Sequence, residues 1–405
     1  MREMTLADAQ SLPLWRRPIS LLFVMTAALP FCFEVWFALL NNFMVEVAKM
    51  DGAGAGLLHS VREIPGFMSF AVVFLLLVVR EQLLGILSLL LLGVASAVTA
   101  WFPSLGGLLT ITFLASIGFH YYETVNQSLQ LQWIDKKRAP VKLGQMISVA
   151  SASAFVAYVL IIMTWERMGL SYNQVYLVSG GVTTAMALFC LVAYPQFRAP
   201  VAQRRQLILR KRYWLYYALQ FMSGARRQIF LVFAAFMMVQ KFGFDVHEIT
   251  GVFLITLTLN IFVAPVFGKI VELVGERLTL MVEYIGLTLV FLAYAGVFYF
   301  DWGWQVAAVL YVIDNMFFAL RLAMKTYFQK IADPADIAPT AAVAFTINHI
   351  AAVGLPVTLG LIWVGSPMVV FFLAAGMAMV SLTLACLIPR HPAQGRETVF
   401  QAVGT

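Results

Sequence analysis

The chain has 405 residues, 61% of them hydrophobic and only 12% charged, with a mean hydropathy of +0.86. Soluble domains carry roughly 25% charged residues, so a soluble globular enzyme is excluded and the sequence reads as a polytopic membrane protein. Cys32, Cys190 and Cys386 each stand alone in an apolar segment, which excludes a disulfide framework or a CxxC metal site, and the net charge of +7 is left for topology to explain.

A crossing with its loop takes roughly 30 residues, so this length admits about twelve spans. The start, "LWRRPISLLFVMTAALPFCFEVW", has the basic flank and apolar run of a signal peptide. The run is too long, however, holds Glu34 and lacks a small-residue cleavage site, so it is read as the first span. Apolar stretches of spanning length fall at about 18–47, 57–79, 82–101, 106–132, 143–163 and 174–195. The basic stretch "QFRAPVAQRRQLILRKR" (196–212) follows, and six more spans fall at about 213–240, 248–270, 278–299, 304–328, 338–363 and 368–389. The expected organisation is thus an all-α membrane protein with a six-helix half at 1–195, a basic linker at 196–212 and a second six-helix half at 213–405.

With the N-terminus inside, most Lys and Arg collect on one side, including "DKKRAPVK" (Asp135 to Lys142) and the linker. The other side keeps only Lys49, Arg62, Arg167 and Lys241. The positive-inside rule then places both termini in the cytoplasm of a plasma (inner) membrane protein. The +7 becomes topology rather than a nucleic-acid patch, so no nucleic-acid partner is expected. Arg62 and Glu63 open the second span as a solvated pair in this reading.

Sliding the second six spans over the first reveals a faint internal repeat. An offset of 193 residues lays Glu34 on Arg227, and an offset of 194 lays His120 on Asp314 and Gln127 on Arg321. Such parallel repeats fit two halves related by an axis along the membrane normal.

Two six-span halves joined by a basic linker resemble the major facilitator superfamily of secondary transporters over essentially the whole chain. "GKIVELVGER" (Gly268 to Arg277) is similar to that family's cytoplasmic turn, with Glu272 at its acidic place and Arg277 at its basic one. The resemblance implies that this turn helps lock a cytoplasmic gate, and Glu283 is grouped with it. It also implies that spans 1, 4, 7 and 10 line a central cavity. Two departures stand out. The first intracellular loop, "LLVVREQLLG", lacks the glycine framework, and span 5, "LGQMISVASASAFVAYVL", lacks the Gly-Pro pattern of drug/proton antiporters and has a Ser/Ala face suited to close helix packing.

Ionisable groups at membrane depth cost at least about 2.5 to 3.5 kcal/mol each, so they face a polar cavity or one another. Arg226 and Arg227 lie in the run "FMSGARRQIFLVFAAFMMV", about 21 Å into span 7 at 1.5 Å per residue. Adjacent side chains point about 100° apart, so at most one faces the cavity, and the repeat selects Arg227 opposite Glu34 while Arg226 turns to a neighbouring helix. His120, Glu123 and Gln127 share one face of span 4, beside Asn126; Asp314, Arg321 and Lys325, at i, i+7 and i+11, form an inward polar stripe on span 10.

The sequence therefore predicts a proton-coupled secondary transporter of a small organic anion or zwitterion, working as a monomer by alternating access without a cofactor. Arg227, Arg321, Gln127, Asn126 and Trp36 are the expected substrate contacts. Glu34, Glu123, Asp314 and His120 are the expected proton-coupling groups, and Glu272, Arg277 and Glu283 the gate. Two alternatives stay open, an exporter of cationic amphiphiles and a non-transporting receptor or assembly factor on the same fold. No metal spacing, nucleophile elbow or phosphate loop points to an enzyme.

Overall fold

The computed structural model describes residues 3–401 apart from 50, 51, 200, 202, 205 and 245. The side chains of several further helical residues, Arg167 among them, also lie outside the description. Helices dominate. In chain order they are α1 (Pro18–Glu46), α2 (Gly52–Phe67), α3 (Val72–Leu75), α4 (Glu81–Val98), α5 (Leu105–Trp133), α6 (Ala139–Met168) and α7 (Tyr172–Ala193). After the linker come α8 (Trp214–Gln228), α9 (Ala235–Phe242), α10 (Val246–Val274), α11 (Glu276–Tyr299), α12 (Trp304–Ala319), α13 (Leu322–Ile331), α14 (Ile337–Gly365) and α15 (Pro367–Cys386).

Among the described residues, ten helical stretches are long and apolar enough to cross a membrane. The run 214–242 and α14 occupy the places the sequence assigns to spans seven and eleven. Local chemistry sets the helix ends. Ser104 accepts from the Gly107 N–H at the start of α5, and Ser171 and Gln174 form a capping box at the start of α7. Outside the helices, β1 (Glu3–Thr5) pairs in parallel with β2 (Gln196–Arg198), and Glu3 binds both Arg80 and Arg198, tying the N-terminal segment to the linker.

Contacts divide the chain into two compact units. One comprises Met1–Ile134, Val149–Ile208 and Pro334–Thr346; the other comprises Asp135–Ser148, Leu209–Asp333 and Ile347–Thr405. In the first unit α4 packs against α5 and α7, and α1 against α7. Small residues make this possible. A methyl on Gly93 of α4 would lie 2.6 Å from the Thr184 hydroxyl of α7, and one on Gly180 of α7 would run into the backbone of Ala97 and Gly93. Leu21, Met25, Leu89, Leu108, Tyr122 and Tyr176 fill the core between them.

In the second unit α11 is central, packed against α15 and α12, with Tyr294 stacked on Phe371 at 4.9 Å. The first turns of α6 lie against α10. Methyl groups on Gly144 or Gly268 would strike the backbone of Ala264 or Pro140, and the Ser148 hydroxyl bonds the Ile261 carbonyl. Of the Ser/Ala-rich face read from span 5, Ser148 thus takes part in this close packing.

Three local features depart from regular helices. Span 2 begins at Gly52, well before the expected 57, and α2 gives way to 3-10 turns after Phe67. Backbone bonds of the i to i−3 kind at Leu320, Arg321, Ala323 and Met324 tighten the join of α12 and α13, so the span is not one uniform helix between Asp314 and Lys325. Between α8 and α9, Ile229–Ala234 is π-helical, directly after the two arginines.

Candidate functional site

The second unit concentrates buried charge where α8, α11 and α12 meet. Arg226, 5% exposed, places Nη2 3.9 Å from Oε1 of Glu283 and its guanidinium carbon 4.4 Å from the ring centre of Tyr284, while Nε donates to the Met222 carbonyl at 3.3 Å. Glu283, Tyr284 and Asp314 are all buried. The Arg226 charge acts on both Glu283 and Asp314, and Arg321, seated 4.1 Å from the Phe318 ring centre, acts on Glu283 as well.

This network is incompletely paired. Arg226 Nη1, Glu283 Oε2, Asp314 Oδ2 and the Tyr284 hydroxyl are buried without a hydrogen bond among the described residues. Buried charge is tolerated only where partners satisfy it, so a proton or a polar ligand arriving here would meet ready-made contacts.

Arg227 takes a different direction. Its Nη2 lies 3.4 Å from Nε2 of His349 on α14, and a guanidinium has only donors, so this contact requires an unprotonated Nε2. Close approach of α8 and α14 depends on Gly224, where a methyl would overlap the Asn348 carbonyl; the Asn348 amide donates to the Gln220 carbonyl at 3.0 Å. The two adjacent arginines thus part, Arg226 to α11 and Arg227 to α14.

The first unit holds the remaining expected residues. Glu34 accepts from the Tyr158 hydroxyl at 3.3 Å, so Glu34 and Arg227 each have a partner within their own unit. Buried His120 points Nδ1 at the Ser116 carbonyl (2.9 Å) and hydroxyl (3.0 Å). Glu123 and Gln127 are half-buried; Asn126 is buried, with Oδ1 lacking a hydrogen bond. Trp36 lies in a small pocket with Arg62. Arg62 and Glu63 pair at 2.6 Å but are about four-fifths buried rather than solvated, because α2 starts ten residues earlier and carries them into its middle.

No family model matches the sequence, and no curated protein matches it. Solved structures do match. The E. coli fucose:proton symporter FucP superposes with a TM-score of 0.69 at 13% identity, covering 91% of this chain and 98% of that one. A bacterial homologue of the iron transporter ferroportin, outward-facing, gives 0.70 at 10% identity over 91% and 98%. The human organic anion transporter MFSD10 gives 0.68 at 13% identity over 92% and 100%. The fold is that of the major facilitator superfamily.

Within the major facilitator fold, the turn between α10 and α11 has separate uses for its two glycines. Gly268 admits the backbone at Pro140, and Gly275, at φ +84°, makes the left-handed turn that ends one helix and starts the next. Glu272 is exposed and Arg277 half-buried. The buried acid of this turn is Glu276, whose Oε1 lies 2.6 Å from Lys330 at the end of α13. Glu283, grouped with the gate in the sequence, lies instead beside Arg226. Sequence reasoning missed Glu276, Tyr284 and the inward place of Arg62. A lone acid inside the apolar run "LTLMVEYIGLTLV" was the one signal that Glu283 lies deep.

Proposed function

We propose that the chain is a proton-coupled secondary transporter that moves a small organic anion or zwitterion by alternating access. The observation that carries this reading is the buried cluster of Arg226, Glu283, Tyr284 and Asp314, each with a polar atom that lacks a hydrogen bond among the described residues, with Arg321 nearby. An arriving carboxylate would compete with Glu283 and Asp314 for the guanidinium groups, and the displaced acid would take up a proton, linking the two movements. The major facilitator fold supports the transport class. The proton symport named for FucP and the organic anion named for MFSD10 are consistent with the chemistry.

Arg227, Arg321, Gln127, Asn126 and Trp36 remain the proposed substrate contacts, joined now by Arg226. Glu34, Glu123, His120 and Asp314 remain proposed proton carriers, joined by Glu283, and Glu272 and Arg277 remain proposed gate residues. The proposed setting is a monomer in the inner membrane with both termini cytoplasmic and halves at 1–195 and 213–405. Counterflow in proteoliposomes with labelled anions, zwitterions and cations tests the reading. Saturable anion or zwitterion exchange that quickens under an imposed acid gradient is the expected result. Exchange of cations alone would favour the amphiphile exporter, and no exchange at all would favour a receptor.

A further inference from the structure

In the first unit, the start of α1 and the end of α7 meet at one membrane surface. Residues 14–17 lead into the span that begins at Pro18, and Tyr194 follows the span that ends at Ala193. Arg16 Nε donates to the Ala193 carbonyl at 2.8 Å, the Tyr194 hydroxyl to the Trp15 carbonyl at 2.7 Å and the Ser20 hydroxyl to the Leu14 carbonyl at 2.6 Å. Arg17 is held as well, with Nε on the Leu12 carbonyl and Nη2 on the Gln10 carbonyl. The segment is therefore fixed, and its polar ties all run to its own fold.

What remains outward is apolar and cationic. Leu14 is 72% and Trp15 54% exposed, and Tyr194 links Trp15 to Phe189 of α7, 48% exposed, at ring-centre distances of 6.5 and 6.1 Å. The Arg16 guanidinium carbon lies 5.6 Å from the centre of the Trp15 ring, and neither Arg16 nor Arg17 forms an ion pair among the described residues. Asp8, the one acid between Glu3 and Glu34, accepts instead from the Thr5 hydroxyl at 2.7 Å.

Each guanidinium engages only carbonyl oxygens and keeps further N–H donors, the groups that bind a phosphate. Aromatic rings favour the boundary between headgroups and acyl chains, and arginines there are drawn to anionic lipid. We propose that this corner of the first unit is a binding site for an anionic phospholipid, with Arg16 and Arg17 on its phosphate and its acyl chains over Leu14, Trp15 and Phe189. A zwitterionic lipid brings its own ammonium group and gains less from the two charges. A soluble anion has nothing to lay over the exposed rings. The site is independent of what the chain transports, and of whether it transports at all.

The purified full chain is reconstituted in phosphatidylcholine vesicles that carry equal mole fractions of either brominated phosphatidylglycerol or brominated phosphatidylcholine. Quenching of Trp15 is taken as the difference between the wild type and Trp15→Phe, which cancels the other tryptophans. The anionic lipid is expected to occupy the site about fivefold more readily than the zwitterionic one, and about 1 M salt should remove most of that preference. Arg16→Gln/Arg17→Gln should bring it to parity, whereas the charge-matched Lys137→Gln/Arg138→Gln, in an exposed loop, should keep it. Arg17→Gln alone leaves the Ala193 tie in place, so it keeps the test open if the first double variant does not fold, and it should cut the preference by about half. Equal quenching by the two lipids in the wild type, or none by either, would overturn the proposal. Equal loss in both double variants would do the same, by reducing the effect to general surface charge. Inorganic phosphate at constant ionic strength should leave the preference unchanged; displacement by it would make this a site for a soluble anion and defeat the lipid assignment.

Discussion

The Ser148 hydroxyl donates to the carbonyl of Ile261, the carbonyl that Pro265, four residues on and without an N–H, cannot serve within α10. A proline inside a spanning helix strands one acceptor where no water can reach it, and a hydroxyl from a neighbouring helix is one of the few remedies. Gly144 and Gly268 bring the two backbones close enough for so short a side chain to reach.

Ser148→Ala is therefore expected to cost about 0.6 and at most about 1.7 kcal/mol, the range for interhelical hydrogen bonds in membranes. In a Pro265→Ala background the helix recovers its own N–H donor, and the same serine change should cost little. A thermal double-mutant cycle decides; equal costs in both backgrounds would show that the hydroxyl has no such task.

Arg226→Gln should be among the most destabilising single changes, by roughly 3 to 5 kcal/mol, because it strips Glu283 and Asp314 of the charge that faces them. Adding Glu283→Gln removes one stranded carboxylate, so the double variant should regain much of the melting temperature while its exchange activity stays low. A double variant that exchanges normally would reduce the pair to scaffolding.

Adjacent glycines in α7 should behave in opposite ways. Gly180→Ala drives a methyl into the α4 backbone and is expected to cost about 1 to 3 kcal/mol. Gly181 faces open space, and Ala there should leave stability unchanged or raise it by up to about 1 kcal/mol through helix propensity. Similar melting temperatures for the two variants would contradict the close α4–α7 approach.

At the α10–α11 turn, Lys330→Ala leaves buried Glu276 without its 2.6 Å partner and should destabilise by roughly 3 kcal/mol. Glu272→Gln, at an exposed place, should stay within about 0.5 kcal/mol. The reverse order would move the structural weight of the turn back to the motif's own acid.

Topology can be read from Leu209, 69% exposed near the end of the linker. In a cysteine-free background, Leu209→Cys should resist an impermeant thiol reagent in intact cells and react after permeabilisation. Labelling of intact cells would invert the proposed sides.

Much of the architecture was legible because hydropathy over about 20 residues is a coarse property that side-chain detail does not disturb. Arg226 was legible too: the 100° step between neighbours required one arginine to turn aside, and Glu283 and Tyr284 are what it meets. Partner choice was less accessible. The repeat aligned Glu34 with Arg227, yet Tyr158 and His349, which touch them, sit more than 120 positions away along the chain and leave no periodic mark. The stripe from Asp314 to Lys325 assumed a uniform helix, and the i to i−3 bonds at Leu320 and Arg321 break that assumption. The pocket around Arg62 was hidden because its sequence signal, a charged pair near a predicted helix start, means something different once the helix begins at Gly52.

The π segment Ile229–Ala234 gives the seventh span a property that its residue order does not reveal. Wider turns there offset the angular register of α9 from that of α8, so the direction of Gln240, which accepts from the Trp363 indole at 2.7 Å, is set by backbone winding as well as by its distance from the arginines. Removing one residue from the segment would swing α9 by about 100° about its axis while leaving every side chain of the arginine cluster in the protein. The segment acts as a phase adjuster, through which a change of winding alone would alter which residues of one helix face its neighbours.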